Sequence, residues 1–585
     1  MFSQVLLITD VRLMPAGIEN FGKNFAKAEL LIKNAKVITC DNKSSIHRAL
    51  SLKNGHILAI GSEEEVSQSA DTDTEILDAA GAAVIPGMID GHAHLDREGL
   101  KNIFPSLAGC ASIDDVLQRI EELVKETEPG EWVVTMPIGD PPFYFNVPEN
   151  LAENRFPNRW ELDSVSPKNP VYIRPIWGFW RHIQPLDSIA NTLALKQAGL
   201  TRIPSDCPSN VRFEIDQSRG EPNGIIHEYT FMPIAELKWF QSMPKFSHKD
   251  RVHGLKTAMR TYNASGTTSV FEEHGCAQEL IDAWRAVNQK NQASVRGHLV
   301  YSPSWHLAEN GDYKSALKRW ADTIGGMQGT GDDWLRIGGI FGDLGMDPDA
   351  ASRLAAAPYT GWAGFNYDSG VPPERLANFL KAAFDFDIRV SAIWMSLLPY
   401  FEDINKTTPL NGKRWIIGHL GCATPREIES LSNMGIVMTA HTNRYIYKNG
   451  AALIDELGSD NENHICPLKS LLNAGVHIGL STDNVPTTLW YPVWQAVSRK
   501  NLYTDKPVAP EQAISRQQAI NCATIEGAYL TGEEREKGSL ETGKIADLAI
   551  LTEDPLTCPE ENIKNIMAKT TIVGGEIVHQ LEEAI

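Results

Sequence analysis

Between residues 170 and 481 the chain alternates short apolar runs with longer amphipathic stretches. The apolar runs fall at 170–173, 266–271, 293–300, 335–340, 388–393, 415–419, 435–439 and 476–481, each rich in apolar or β-branched side chains. Runs of that length read as buried strands and the stretches between them as helices, which is the rhythm of repeated strand–helix units and a parallel sheet. With the apolar run that ends at His92 there is one strand more than the eight a closed barrel needs.

The two ends have a different texture. Residues 30–38 and 49–60 are β-type runs, and Asn54-Gly55 within the second is a strong hairpin turn; 545–551 and 570–578 repeat the pattern around Gly574-Gly575. Two such segments can pair into one sandwich that a central domain interrupts. The sequence therefore predicts an α/β protein: a (β/α)8 TIM-type barrel over 87–530, and a small discontinuous β-sandwich domain from 1–86 and 531–585.

Chemistry gathers where that pattern places strand ends. The run from Val84 closes in His92-Ala93-His94, and side chains two apart on a strand project to the same face, so both imidazoles can reach one cation. A bare His-x-His is a weak signal. Its setting strengthens it, because His274, His419, His441 and Asp483 also fall at or just past predicted strand ends, the edge at which barrel enzymes collect their active sites.

Composition removes several alternatives. A formal net charge of −20, with no clustered Lys/Arg run, disfavours nucleic acid. Asp10 and Arg12 interrupt the apolar patch Val5–Ile8 before it could act as a signal or membrane segment, so a cytoplasmic protein is expected. Eight cysteines without a C-x-x-C pair fit reduced thiols.

Taken in order, the segment from Val84 to His94, Gly266-Thr-Thr-Ser269, Ile417-Gly-His419, Leu480-Ser-Thr-Asp483 and the closing Gly543-Lys-Ile-Ala-Asp-Leu-Ala-Ile550 resemble the metal-dependent amidohydrolase superfamily. The nearest branch is the YtcJ-like one, amidohydrolase family 3, which includes N-substituted formamide deformylases; Gly130-Glu-Trp-Val-Val134 and the segments 156–167 and 182–201 support it. The resemblance implies that His92 and His94 are metal ligands, that Asp483 touches the metal and moves a proton, and that His419 is a further ligand or polarises the substrate. Such a cation lowers the pKa of bound water toward about 7, and Asp483 would shuttle the proton to the leaving nitrogen.

Two departures from the resemblance narrow the reading. Relatives carry a metal-bridging lysine in the strand matching 335–341, but 331–350 contains no lysine; they carry a histidine ending the fifth strand, where this chain reads Val390-Ser-Ala-Ile-Trp394. A single divalent cation is expected, zinc first with iron(II) or manganese(II) as alternatives, held by His92, His94 and Asp483 with help from His419. Phe271-Glu-Glu-His274, assigned to the end of a third strand, leaves open whether Glu272, Glu273 or His274 replaces a missing ligand. His182, Trp180, His274 and His441 are the candidate substrate contacts, and the cluster Trp177-Gly-Phe-Trp-Arg-His182 favours an apolar or aromatic small molecule. The predicted reaction is hydrolysis of a C–N bond in an amide, formamide or cyclic amide. The alternative keeps barrel and cation for C–C hydrolysis, hydration, decarboxylation or isomerisation. Relatives suggest a dimer or tetramer.

Overall fold

The computed structural model describes residues 27–582 except 142, 143, 145, 182, 307–311, 327, 346 and 505. Val5–Ile8 and His182 lie outside the described residues.

Eight parallel strands form the central ring: Met88–Asp90, Thr267–Cys276, Arg296–Tyr301, Leu335–Phe341, Val390–Ala392, Ile416–Ile417, Val437–Ala440 and Ile478–Leu480. The eighth meets the first where Gly91 N–H donates to the Leu480 carbonyl at 2.9 Å and Asp483 N–H to the His92 carbonyl at 3.0 Å. Glycine is needed at this seam, because a Cβ on residue 91 would lie 3.0 Å from the Leu480 oxygen. Seven of the apolar runs named above are barrel strands two to eight. Their continuous apolar character follows from burial on both faces, inward against the barrel interior and outward against the helices.

The run at 170–173 is not a barrel strand. It becomes Val171–Ile173 in a separate five-stranded sheet, in the order Val211–Asp216, Glu221–Glu228, Leu186–Ala190, Val171–Ile173, Val133–Thr135, inserted between the first and second barrel strands. Thr267–Cys276 is consequently the second barrel strand, where the sequence suggested the third. The insertion carries the short helix Gly178–Arg181 and so delivers the aromatic cluster to the barrel mouth.

Strands from both ends of the chain build two further sheets. One is four-stranded, with Leu30–Lys33 between Ala49–Lys53 and Glu75–Asp78; in the other Ala83–Pro86 pairs antiparallel with Leu548–Leu551. Leu30, Ile32, Leu50, Val84, Leu548 and Ile572 share the buried core between them. Asn54 and Gly55 both have positive φ, 48° and 74°, as a two-residue hairpin turn requires. No described helix is long and apolar enough to cross a membrane, and the eight cysteines are free.

Candidate metal centre and cavity

The first barrel strand ends at Asp90, a buried carboxylate that accepts the amide N–H groups of His92 (3.1 Å) and Thr482 (3.0 Å) and the Thr482 hydroxyl (2.5 Å). This clamp ties the loop bearing His92 and His94 to the loop bearing Asp483. Asn484 continues it, accepting the His94 amide at 2.9 Å and the Tyr262 hydroxyl at 2.7 Å. His419, Asp483 and Asn484 all hold left-handed backbone (φ 48°, 50° and 62°). Such conformations cost on the order of 1–3 kcal/mol each and cluster at functional sites.

The clamp brings the predicted ligands together. His92 Nε2 lies 3.1 Å from His94 Nε2 and 3.9 Å from Asp483 Oδ1, and His94 Nε2 is 3.3 Å from the same oxygen. Donors bonded at about 2.1 Å to one tetrahedral ion stand roughly 3.4 Å apart, so the three separations suit a single cation. His419 joins them from the end of the sixth strand, its ring 4.7 Å from that of His92. Both His419 ring nitrogens are buried without a hydrogen-bond partner among the described residues. Leaving such groups unsatisfied costs about 1–3 kcal/mol each, a cost that a cation removes.

Electrostatics favour the ligand forms. Burial, reinforced by neighbouring positive charge, holds His419 and His441 well below the ordinary imidazole range and His94 down to about 3, so each presents a neutral lone pair. For Asp483 burial acts upward, but the His94 hydrogen bond and the electrostatic pull of the imidazoles around it outweigh it, holding the carboxylate well below its usual range. His92 Nδ1 pairs with Glu273 Oε2 at 2.5 Å, which fixes the ring and leaves Nε2 for the site. Thr439 donates to the same oxygen at 2.6 Å, and the space for that carboxyl exists because residue 418 is glycine: a Cβ there would collide with it. Glu273 thus faces the barrel interior, while Glu272 accepts the Leu95 amide at 2.9 Å.

A cavity of about 250 Å³ opens onto His92, His94, His419 and Asp483. Trp177, Phe179, Phe341 and Phe365 line it, with Trp394 also on its wall. His274 is on the wall too, stacked on Phe365 with ring centroids 4.0 Å apart. Two other predicted contacts lie elsewhere. The Trp180 ring is packed against Tyr144 and Trp362 at 5.3 and 5.6 Å, because the helix Gly178–Arg181 turns Phe179 toward the cavity and Trp180 into the core. His441 sits behind His92 and His419 and does not line the cavity.

Among the polar wall residues that sequence reasoning did not find are Arg97 and Asp343. Arg97 is buried, donates to the Trp362 and Ala363 carbonyls at 3.2 and 3.0 Å, and lies 4.9 Å over the Trp177 ring. Its position three residues after His94 on the helix Leu95–Leu100 was the available signal. Asp343, just past the fourth strand, accepts the Leu344 and Ile393 amides at 2.7 and 3.0 Å, and burial pushes its carboxyl up to about 7.

The barrel, the two-ended sandwich and a histidine–aspartate centre at the C-terminal strand ends define a metal-dependent hydrolase of the amidohydrolase type. The family model described as "Amidohydrolase family" matches residues 75–579, and the chain belongs to that family. It is an enzyme that hydrolyses carbon–nitrogen bonds. Among curated relatives, an N-substituted formamide deformylase of Arthrobacter pascens is 25% identical, the match covering 94% of this chain and 98% of that one. A putative amidohydrolase, YtcJ, of Bacillus subtilis is 22% identical over 91% of this chain and 96% of its own length. An uncharacterized metal-dependent hydrolase from Pyrococcus horikoshii OT3 has the same fold, with a TM-score of 0.65 at 20% identity, covering 91% of this chain and 99% of that one.

Proposed function

We propose that the protein hydrolyses the C–N bond of a small amide, formamide or cyclic amide carrying an apolar or aromatic group. The observation that carries this reading is the cavity, whose polar end is His92, His94, His419 and Asp483 and whose wall is Trp177, Phe179, Phe341 and Phe365. His92, His94 and Asp483, assisted by His419, would hold one divalent cation, for which we expect zinc, with iron(II) or manganese(II) the alternatives. When bound, that ion supplies Lewis-acid activation of water and of the scissile carbonyl.

The residues of the chain account for the rest. Asp483 takes the proton released by the attacking water and passes it to the leaving nitrogen. Glu273 keeps the His92 ring in one orientation. The aromatic wall receives a flat substituent and excludes bulk water from the reacting carbonyl. The formamide deformylase of Arthrobacter pascens, matched over nearly its whole length, supports an N-substituted formamide as the first substrate to try.

The test is a panel of formanilides, lactams, hydantoins and small β-diketones offered to the metal-loaded enzyme. Release of an aromatic amine with its partner acid is expected. Turnover confined to the diketones, which have no C–N bond to cleave, would overturn the proposal.

A further inference from the structure

We propose that His441, from the end of the seventh barrel strand, is a ligand of the cation rather than a contact for the substrate. The inference rests on the metal-centre reading above and adds to it a residue from a strand that the sequence resemblance does not use. Three observations carry it.

The first is placement. His441 is 2% exposed; its ring lies 3.9 Å from the ring of His419 and 4.6 Å, edge-on, from that of His92. His92, His419 and His441 form a group whose ligand atoms all lie within 4.8 Å of one another. His441 is absent from the cavity wall, so a substrate in the cavity meets His419 and His92 first.

The second is an unused donor. His441 Nε2 is buried with no hydrogen-bond partner among the described residues, and Nδ1 stands 3.8 Å from Asp483 Oδ2. Two histidines away from the site do find partners: His227 Nδ1 pairs with Asp187 at 2.7 Å and His477 Nδ1 with Glu526 at 2.7 Å. A buried imidazole with an unpartnered nitrogen, grouped with His419 whose two nitrogens are also unpartnered, is placed for a shared cation.

The third is that the backbone holds His441 while the fifth strand offers no ligand. The Arg444 and Tyr445 amides both donate to the His441 carbonyl at 3.1 Å, opening a π-helical turn over Asn443–Lys448, a form that is frequent at functional sites. Thr442 and Asn443 are tied to Gln495 at 2.8 and 3.2 Å. At the end of the fifth strand Ser391 donates to the Glu273 carbonyl at 3.2 Å and Ile393 and Trp394 line the cavity, so no imidazole arrives from there. His441 supplies it from the seventh strand.

The test uses the full chain, stripped of metal and titrated with Zn2+ against a chelator, alongside the absorption spectrum of the Co2+-loaded protein. In His441→Asn and His441→Ala, Zn2+ affinity is expected to fall by more than the roughly 10–100-fold that an outer partner is worth. The Co2+ bands should shift and change intensity, and added imidazole should restore them in His441→Ala. Matching circular dichroism of the metal-free proteins controls for folding, and the Asn variant serves if the Ala variant does not fold. A wild-type Co2+ spectrum in both variants, or a Zn2+ affinity within 100-fold of wild type, overturns the proposal. Failure of the wild-type chain to bind any divalent cation overturns the metal-centre reading itself, and the two failures are thereby told apart.

Discussion

At the scale of single residues the site is organised by carboxylates with distinct tasks. Asp90 accepts three hydrogen bonds and clamps two loops, Glu273 orients His92, and Asp483 faces both the imidazoles and the cavity. Of these three, only Asp483 lines the cavity, where it can exchange protons with a substrate. Asp483→Asn keeps the shape but loses the proton acceptor, so turnover should fall by about 10²–10⁴-fold with an unchanged melting temperature; activity within a fewfold of wild type would remove it from the mechanism. His92, His94, His419 and Asp483 were legible in the sequence because each closes a strand-like run. Glu272 and Glu273 were not separable there, since strand alternation says that one faces inward but not which. The strand bears a register shift between Glu272 and Cys276, and both side chains are buried. Asp343 carries no pattern, because its role depends on loops that converge only in three dimensions.

At the scale of elements, the loop that presents His92 and His94 is braced by the helix Leu95–Leu100 lying against the helix His248–Ala264. The two approach so closely that a Cβ on Gly99 would stand 1.9 Å from the Gly254 carbonyl oxygen. Arg251 locks the contact through an ion pair with Asp96 at 2.6 Å. Gly99→Ala should force the helices apart and destabilise the protein by about 1–3 kcal/mol or more, with a matching loss of metal affinity because His94 immediately precedes the helix Leu95–Leu100. A melting temperature equal to wild type would contradict this packing. Barrel strands two to eight were readable from apolar run length alone. The inserted sheet was not, since Val171–Ile173 is buried on both sides like a barrel strand and its periodicity is the same.

At the scale of the molecule, barrel and sandwich are joined by a buried ion pair. Arg296 on the third barrel strand grips Asp547 bidentately, Nε to Oδ2 at 2.8 Å and Nη2 to Oδ1 at 3.0 Å, and Asp547 also accepts the Gly574 amide at 2.7 Å. The closing motif Gly543–Ile550 was read in the sequence as a resemblance; its aspartate proves to fasten the returning strand to the barrel. Asp547→Ala leaves the Arg296 guanidinium buried without its partner and should cost about 3–5 kcal/mol, seen as one earlier unfolding transition. Unchanged denaturant stability would show that the two units do not depend on this pair.

This amidohydrolase-family chain is expected to work with a single divalent cation at the His92, His94 and Asp483 centre. Elemental analysis of the purified full-length protein, after metal loading and removal of loosely held ions, tests it most directly. Close to one zinc, iron or manganese per chain is expected in the wild type, and far less than one in a His92→Ala, His94→Ala double variant. Two tightly held ions per chain, or none, would contradict it.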